Sequence, residues 1–237
     1  MYMIREVAKS YGESIVLRSI NCTFEAGAIS VVLGPSGCGK STLLRLMSFL
    51  EMPDAGDVTL EAAGRVFKST DAPLSPWPIV TCVFQRQFLW PHLTLRQNIL
   101  LPLNSRGRDS YQTANRVIEL FDMESFVDRF PNEVSGGQAQ RAALARAFAL
   151  EPSFILLDEA HSYLDLEQQG ALNTHLGILR RRGIGLVVVT HSLHFASNLA
   201  DKIIVLDDGE VVEEGSRDLL RAPRSAFLRR LDYQAEV

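Results

Sequence analysis

The sequence predicts a mixed α/β fold, and two patterns carry the prediction. Short apolar runs recur at 29–33, 154–157 and 186–189, and the first is of β-branched type, as is typical of strands buried in a sheet. Between the first two runs, residues 86–150 change to helical periodicity. We therefore expect an α/β core formed by 1–85 and 151–237, with a helical subdomain inserted at 86–150.

The parts on either side of the insert are predicted to be rich in strands. Runs at 2–7 and 15–24 precede the strand at 29–33, and a helical pattern at 43–47 follows it. Residues 57–83 are expected to form further strands around a loop that contains Pro73, Pro76 and Pro78. Near the end, predicted strands at 203–206 and 211–214 flank an Asp-Gly pair, which favours a hairpin.

Two helices are predicted inside the insert. The first has an apolar face formed by Val117, Leu120, Phe121 and Met123. The second is predicted over 135–150, where apolar residues recur four positions apart.

The composition favours an ordinary soluble globular protein. Of 237 residues, 46% are hydrophobic and 22% are charged. No apolar run reaches the roughly 18–20 residues of a membrane span, and the first residues lack a secretion signal pattern. The net charge of −4 gives no electrostatic footprint for nucleic acid. The cysteines, Cys22, Cys38 and Cys82, have no metal-ligand spacing and are expected to be reduced thiols in a cytosolic protein.

A predicted phosphate-binding loop lies between the strand at 29–33 and the following helix. It reads Gly34-Pro35-Ser36-Gly37-Cys38-Gly39-Lys40-Ser41-Thr42 and fits the pattern G-x-x-x-x-G-K-[ST]. Glycines let backbone N–H groups turn inward around phosphate oxygens, at the positive end of a helix. Lys40 is expected to contact the β- and γ-phosphates of ATP, and the Ser41 hydroxyl to bind Mg²⁺.

Cys38 inside this loop has two interpretations. Neighbouring N–H groups and Lys40 could lower its pKa and make the thiol sensitive to oxidation. Alternatively, Cys38 is a small filler residue whose side chain points away from the loop.

A second acidic element indicates that the nucleotide is hydrolysed. Asp158 and Glu159 follow the apolar run 154–157, at the end of a predicted strand beside the phosphate loop. Asp158 is expected to hold Mg²⁺ through its water shell. Glu159 is expected to act as the general base on the water that attacks the γ-phosphate.

A third motif gives the sequence its family resemblance. It reads Val134-Ser135-Gly136-Gly137-Gln138, followed by Ala139-Gln140-Arg141. Ser135 is a good helix N-cap, and Gly136 and Gly137 expose N–H groups that make a second anion site. Together with the two earlier motifs, in this order, the whole chain resembles the ATP-binding subunit of an ATP-binding cassette (ABC) transporter.

The resemblance implies a fold and an assembly. The expected fold is a P-loop NTPase (RecA-like) core with an N-terminal antiparallel β subdomain and an inserted α-helical subdomain, in one ABC ATPase domain over 1–237. It also implies a head-to-tail dimer, in which Ser135, Gly136, Gly137 and Gln138 of one copy close over ATP held by the Lys40 loop of the other.

Further site residues follow from the resemblance position by position. Gln85 matches a glutamine that senses Mg²⁺ and the attacking water, and His191 a switch histidine that contacts the γ-phosphate. Tyr11 matches an aromatic residue that stacks on adenine; an ordinary surface or core tyrosine is the alternative. Asp165 matches a loop that crosses between the two ATP sites.

The sequence also departs from the family pattern. Ala160 replaces the usual proline after the catalytic glutamate, and Tyr163 replaces the usual alanine of the crossing loop. Val134 stands where leucine is usual, and Ser192 where an acid is frequent. These changes remove no catalytic group, but Tyr163 puts the coupling between the sites in doubt.

The apolar run 88–95 bears on what the hydrolysis drives. It is either core of the insert or a groove for a helix of another protein. The run resembles importer ATPases, especially those for polar amino acids. The implied partners are a second copy, a membrane permease and an external solute-binding protein, with no nucleic acid, at the cytoplasmic face of the inner membrane. The alternatives are a soluble ABC-type ATPase acting on nucleic acid or ribosomes, and a regulatory subunit with little turnover.

Overall fold

The structure, a computed structural model, describes residues 1–71, 75–106, 110–159 and 164–235. The strands in this part of the chain are β1 Tyr2–Tyr11, β2 Ser14–Phe24, β3 Ile29–Leu33, β4 Ala55–Ala62, β5 Arg65–Lys68, β6 Val80–Val83, β7 Phe154–Asp158, β8 Gly185–Thr190, β9 Lys202–Asp207 and β10 Glu210–Gly215. The α-helices are α1 Lys40–Met47, α2 Leu95–Leu100, α3 Ser110–Leu120, α4 Gly136–Phe148, α5 Leu166–Arg181, α6 Leu193–Leu199 and α7 Ala226–Ala235. No described helix is long and apolar enough to cross a bilayer.

The strands form two sheets of different type. The first is antiparallel, in the order β2-β1-β4-β5. The second runs β10-β9-β3-β8-β7-β6, with β10 as an antiparallel edge beside five parallel strands. Every residue of β3 and β8 is buried, which explains their uninterrupted apolar sequences.

The central strand β3 supplies two separate cores because its side chains alternate between the faces of the sheet. Val32 packs into the core shared with the antiparallel sheet, and Val31 and Leu33 pack into the core shared with the helices. At the first core, the Tyr2 ring meets Phe154 edge-on, with centroids 4.9 Å apart. The predicted α/β fold with an antiparallel N-terminal sheet is therefore confirmed.

The helices α2, α3 and α4 lie in sequence between β6 and β7. Helix α2 is capped by Thr94, whose hydroxyl accepts from the Gln97 N–H while the Gln97 side chain accepts from the Thr94 N–H. Helix α4 packs against α2, α3 and β6, so the insert is joined to the edge of the parallel sheet.

The first predicted helix of the insert ends earlier than its apolar pattern suggests. Helix α3 stops at Leu120, and Asp122 turns the chain with a φ of 50°. Phe121 and Met123 are fully buried from this turn, whereas Leu120 is only partly buried. The assignment of all these residues to one helical face was therefore wrong, because burial continues after the helix ends.

Other predicted bounds shift by a few residues. Helix α4 covers Gly136–Phe148 within the predicted 135–150, with Ser135 as its N-cap. Strand β1 continues beyond residue 7 to Tyr11 across irregular pairing with β2. The predicted hairpin near the end is formed by β9 and β10, and its turn residues Asp208 and Gly209 both have positive φ. Pro73 lies outside the described residues.

Candidate ATPase site

The phosphate loop joins the buried end of β3 to α1. A Cβ atom at Gly34 would lie 2.1 Å from the Leu206 carbonyl oxygen on the neighbouring strand, so only glycine fits there. Gly37 and Gly39 have φ values of 83° and 105°, in the left-handed region that favours glycine. The loop geometry thus requires glycine at these three positions.

Lys40 is buried over the loop that precedes it. Its ammonium group donates hydrogen bonds to the carbonyls of Gly34 at 2.9 Å and Pro35 at 2.7 Å. Ser36 and Ser41 are exposed, and Thr42 is buried at the base of α1. The loop therefore presents one ammonium group and the N-terminal end of α1 at the carboxyl end of the parallel sheet.

The first site cluster forms at the ends of β3 and β7. The Ser41 hydroxyl donates to Asp158 Oδ1 at 3.2 Å. Burial raises the pKa of Asp158, against the hydrogen bond from Ser41. The sequence prediction that Asp158 lies beside the phosphate loop is thus met in the fold.

The second cluster brings together three predicted catalytic side chains. Glu159 Oε1 lies 3.1 Å from His191 Nδ1, and the Gln85 amide donates to Glu159 Oε2 at 3.4 Å. Glu159 has a positive φ of 47°, and its N–H donates to the Val189 carbonyl at 2.9 Å. For a residue other than glycine this conformation costs about 1 kcal/mol, which the sheet edge must compensate.

Cys38 is a buried residue of the loop. Burial raises the pKa of its thiol, although the Lys40 ammonium acts in the opposite direction. The interpretation with a lowered pKa is therefore contradicted. Cys38 fills space as the alternative held, but its side chain does not point away from the loop, since Sγ lies 3.9 Å from the Lys40 ammonium. Burial also raises the pKa of Cys22 and of Cys82 to about 12.

Tyr11 lies away from this cluster, at the end of β1. The residue is 44% exposed, and its hydroxyl donates to the carboxylate of Glu51. The Lys9 ammonium lies 5.7 Å from the ring centroid. An exposed ring face suits stacking on a planar base, and the role in adenine binding stays a prediction.

The signature segment, residues 134–138, lies on the helical insert at the start of α4. Ser135 accepts from the Gln138 N–H at 3.2 Å, and the Gln138 side chain accepts from the Ser135 N–H at 3.0 Å. Gly136 is exposed, with nothing within 4 Å of a Cβ atom built on it. The segment therefore offers backbone N–H groups on an open surface.

Asp165 begins α5 as its N-cap. Its Oδ1 atom accepts from the Gln168 N–H at 2.8 Å. Ala160 and Tyr163, the two departures near this point, lie outside the described residues. Ser192 caps α6 by accepting from the Phe195 N–H at 3.2 Å, which gives this departure a structural role.

The contacts that hold the segment after Gln85 could not be predicted from the sequence. Arg146 of α4 donates to the carbonyls of Phe88 at 2.8 Å and Gln87 at 2.9 Å. The Gln87 amide donates to the buried Gln140 Oε1 at 3.2 Å. These contacts connect α4 to the Gln85 segment across a long stretch of sequence, which no local pattern reports.

An open groove of about 570 Å³ lies beside this segment, between β6 and the insert. Its lining is largely apolar and includes Leu50, Trp77, Phe84, Trp90 and Leu101. The apolar run 88–95 contributes to both the core and this surface. Leu89 packs against the core and Leu95 is fully buried, whereas Phe88 is 65% and Trp90 is 51% exposed.

The chain is similar to known proteins over most of its length. Residues 17–162 match the family described as ABC transporter. The chain is 37% identical to the arginine transport ATP-binding protein ArtP of Haemophilus influenzae, covering 91% of this chain and 92% of that protein. It is 38% identical to the glutamine transport ATP-binding protein GlnQ of Bacillus subtilis, covering 90% of each. It is also 35% identical to the spermidine/putrescine import ATP-binding protein PotA of Aggregatibacter actinomycetemcomitans, covering 99% of this chain and 63% of that protein.

A solved structure has the same fold. A dimeric post-hydrolysis state of the ATP-binding cassette MJ0796, bound to ADP and Pi, superposes with a TM-score of 0.80 at 33% identity. The match covers 92% of this chain and 99% of that structure. The family resemblance and the P-loop NTPase fold predicted from the motifs are thereby confirmed. The chain therefore belongs to the ABC transporter family and carries its ATP-hydrolysing cassette.

Proposed function

We propose that this chain is the ATP-hydrolysing subunit of an importer and works by ATP-driven closure of a dimer. The observation that carries the proposal is the meeting of Gln85, Glu159 and His191 directly beside the Ser41–Asp158 pair. The residues to which we assign the general base, its orienting partners and the cation site all lie at the same edge of the sheet as the phosphate loop.

The phosphate loop binds the ATP phosphates. The Lys40 ammonium exchanges its contacts with the Gly34 and Pro35 carbonyls for oxygens of the β- and γ-phosphates. The N–H groups of 34–42 and the N-terminal end of α1 add further donors. Tyr11 stacks on the adenine ring through its exposed face.

Ser41 and Asp158 fit Mg²⁺ because both supply hard oxygen donors, and their oxygens are only 3.2 Å apart. A cation there also compensates the buried carboxylate of Asp158, whose pKa burial raises. Gln85 reaches the same edge from the end of β6. When bound, Mg²⁺ neutralises charge on the transferred phosphoryl group.

Glu159 takes the proton of the attacking water. Its Oε1 atom is fixed by His191 and its Oε2 atom by Gln85, so the carboxylate is oriented from both sides. His191 is 59% exposed in its side chain and reaches toward the γ-phosphate from the end of β8. These side chains position the attacking water, and none of them forms a covalent bond to the phosphoryl group.

The signature segment of one copy completes the ATP site of the other. Ser135 and Gly136 are exposed at the start of α4, and the four residues of 135–138 carry no charged side chain, which suits a phosphate held by another chain. The similar cassette MJ0796 was solved as a dimer with ADP and Pi. We assign the same arrangement to this chain.

The groove beside Trp90 receives a helix of a membrane permease. Its largely apolar lining and exposed aromatic residues fit the apolar face of a helix. The similar proteins are named for transport of arginine, glutamine and spermidine/putrescine. We infer a small polar solute, with polar amino acids favoured, delivered by an external solute-binding protein, and a peripheral location on the cytoplasmic face of the membrane.

Substitution of the proposed general base tests the hydrolytic mechanism. Glu159→Gln keeps the size of the side chain but removes its basicity, so ATP turnover should fall about 100-fold or more. ATP binding should remain, and size-exclusion chromatography with ATP should show an accumulated dimer. The control is Glu61→Gln on the exposed surface of β4, which should leave turnover unchanged. Unchanged turnover in Glu159→Gln, or an absence of the dimer, contradicts the proposal.

A further inference from the structure

The second glycine of the signature segment lies against a side chain of another helix. A Cβ atom built on Gly137 would lie 2.4 Å from Gln168 Oε1, 2.6 Å from its Cδ and 2.8 Å from its Cγ. These are the three nearest atoms, and all belong to Gln168. Gly137 is buried inside α4 without a left-handed φ. A side chain at position 137 would therefore have to displace the Gln168 side chain, although the backbone conformation of Gly137 would accept one.

Gln168 is held on its other side by the crossing-loop residue. Its Nε2 atom donates to Asp165 Oδ2 at 2.7 Å, and its backbone N–H donates to Asp165 Oδ1 at 2.8 Å. The Gln168 amide cannot swing away from Gly137 without losing a charge-assisted hydrogen bond. Gly137, Gln168 and Asp165 thus form one continuous line of contacts.

We propose that Gln168 is a positioning residue that couples the signature segment to Asp165 within one chain. The inference rests on the proposed function, in which the signature segment closes on a nucleotide held by a second copy, and on the resemblance that matches Asp165 to the loop crossing between the two ATP sites. A shift of Asp165 pulls the Gln168 amide, and the amide in turn fixes how closely α4 approaches at Gly137. A movement of Asp165 or of the start of α4 is therefore transmitted to the other by the Gln168 side chain.

The neighbouring glutamine provides a matched control. Gln169 Nε2 donates to the Leu164 carbonyl at 2.9 Å, so it also holds the end of the crossing loop. Its contact is with the loop backbone, whereas Gln168 supplies all three atoms nearest to the Cβ position of Gly137. Both side chains are half-buried.

The test is a double-mutant cycle of Gly137→Ala and Gln168→Ala, measured as ATP turnover over a range of ATP concentrations. Gly137→Ala should lower kcat about tenfold or more, because the new methyl group displaces the amide. Gln168→Ala should lower kcat about threefold and reduce the Hill coefficient for ATP from about 2 toward 1. The double variant should return to the kcat of Gln168→Ala, because the methyl group then meets open space. Gln169→Ala should keep the Hill coefficient of the wild type.

Three outcomes overturn the inference. The first is a double variant that stays as slow as Gly137→Ala, and the second is a Gly137→Ala variant as fast as the wild type. The third uses Gln168→Met, which fills the space of the glutamine but cannot donate to Asp165, so that the test does not depend on a variant that leaves a cavity. If Gln168→Met keeps the wild-type Hill coefficient, the amide does not couple the two elements. Dimer formation by Glu159→Gln alone, measured alongside, reports on the proposed function independently of this cycle.

Discussion

The sheet edge and the start of α4 both present phosphate-binding groups, but they are built differently. At the sheet edge, the loop that leads to Lys40 follows β3, Asp158 ends β7 and Glu159 follows it, and the spacing of these strands is fixed by backbone hydrogen bonds. At the start of α4, the geometry depends on side chains, through the capping box of Ser135 and the contact of Gln168 with Gly137. The geometry of the sheet edge is therefore set by backbone hydrogen bonds, whereas the geometry at the start of α4 depends on individual side chains.

The two regions also differ in charge. The sheet edge gathers an ammonium group and two carboxylates, and burial raises the pKa of Asp158 there. The signature segment carries only a hydroxyl, an amide and backbone N–H groups. One region can therefore organise a cation and a base by itself, while the other is complementary to an anion that a second molecule presents.

The largest effect is expected from Gly34→Ala, at the sheet edge. The added methyl group would lie 2.1 Å from the Leu206 carbonyl and 2.6 Å from Cys38 Sγ, so a backbone element must move. We expect a loss of at least about 2 kcal/mol in the free energy of unfolding, and loss of ATP binding. Denaturant unfolding and a fluorescent ATP analogue measure the two effects.

Gly170→Ala is the control for this prediction. It lies in α5 with nothing within 4 Å of the built Cβ atom, so the fold should gain up to about 1 kcal/mol. Equal stability of the Gly34→Ala protein and the wild type would show that the loop accepts a side chain. The fixed geometry of the sheet edge would then be wrong.

A smaller effect on the isolated protein is expected from Trp90→Asp, on the insert. Because Trp90 is 51% exposed, the free energy of unfolding and the ATP turnover of the isolated subunit should change little. Transport in vesicles that contain the complete importer should fall about tenfold, since a charge enters the apolar groove.

Tyr111→Asp is the matched control, because this aromatic residue is 68% exposed on α3 and does not line the groove. It should leave transport unchanged. Equal transport by Trp90→Asp and the wild type would remove the groove as a permease contact. Purification of the subunit from membranes without a membrane-spanning partner would instead favour a soluble ATPase.

The sequence predicts the sheet edge well because its determinants are local. The glycines of 34–39 indicate a loop whose backbone cannot carry side chains at those positions. The apolar runs before Lys40 and Asp158 indicate buried parallel strands. Parallel strands bring their carboxyl ends to one edge, so residues distant in sequence can be placed together. The contact of Ser41 with Asp158 follows from this rule.

The contacts around α4 could not be predicted in the same way. Gln168 reaches Gly137, and Arg146 reaches the Phe88 carbonyl, through tertiary packing that leaves no periodic pattern. The end of α3 at Leu120 was missed because Phe121 stays buried after the helix ends. Apolar periodicity reports burial, and here burial and helix length do not coincide.

The smallest expected effect lies where the insert meets the core. His175 of α5 is buried and stacks on Phe121 of the insert, with ring centroids 4.8 Å apart, and its Nε2 lies 3.4 Å from Asp122 Oδ2. Burial lowers the pKa of His175, and the Arg141 guanidinium acts in the same direction, against the nearby Asp122 carboxylate. The imidazole therefore stays neutral in the folded chain at pH values where it is protonated in the unfolded chain.

The sign of the pH dependence follows from this difference. Because the unfolded chain binds more protons, the free energy of unfolding should fall as the pH drops below about 6.5, by at most about 1.4 kcal/mol per pH unit. His175→Phe retains an aromatic ring on Phe121 and should flatten this decline between about pH 6.5 and 5. The exposed His194, changed to Asn, should leave the slope as it is. If the slopes of His175→Phe and the wild type coincide in urea titrations across this range, the buried His175 imidazole does not contribute to the pH dependence of stability.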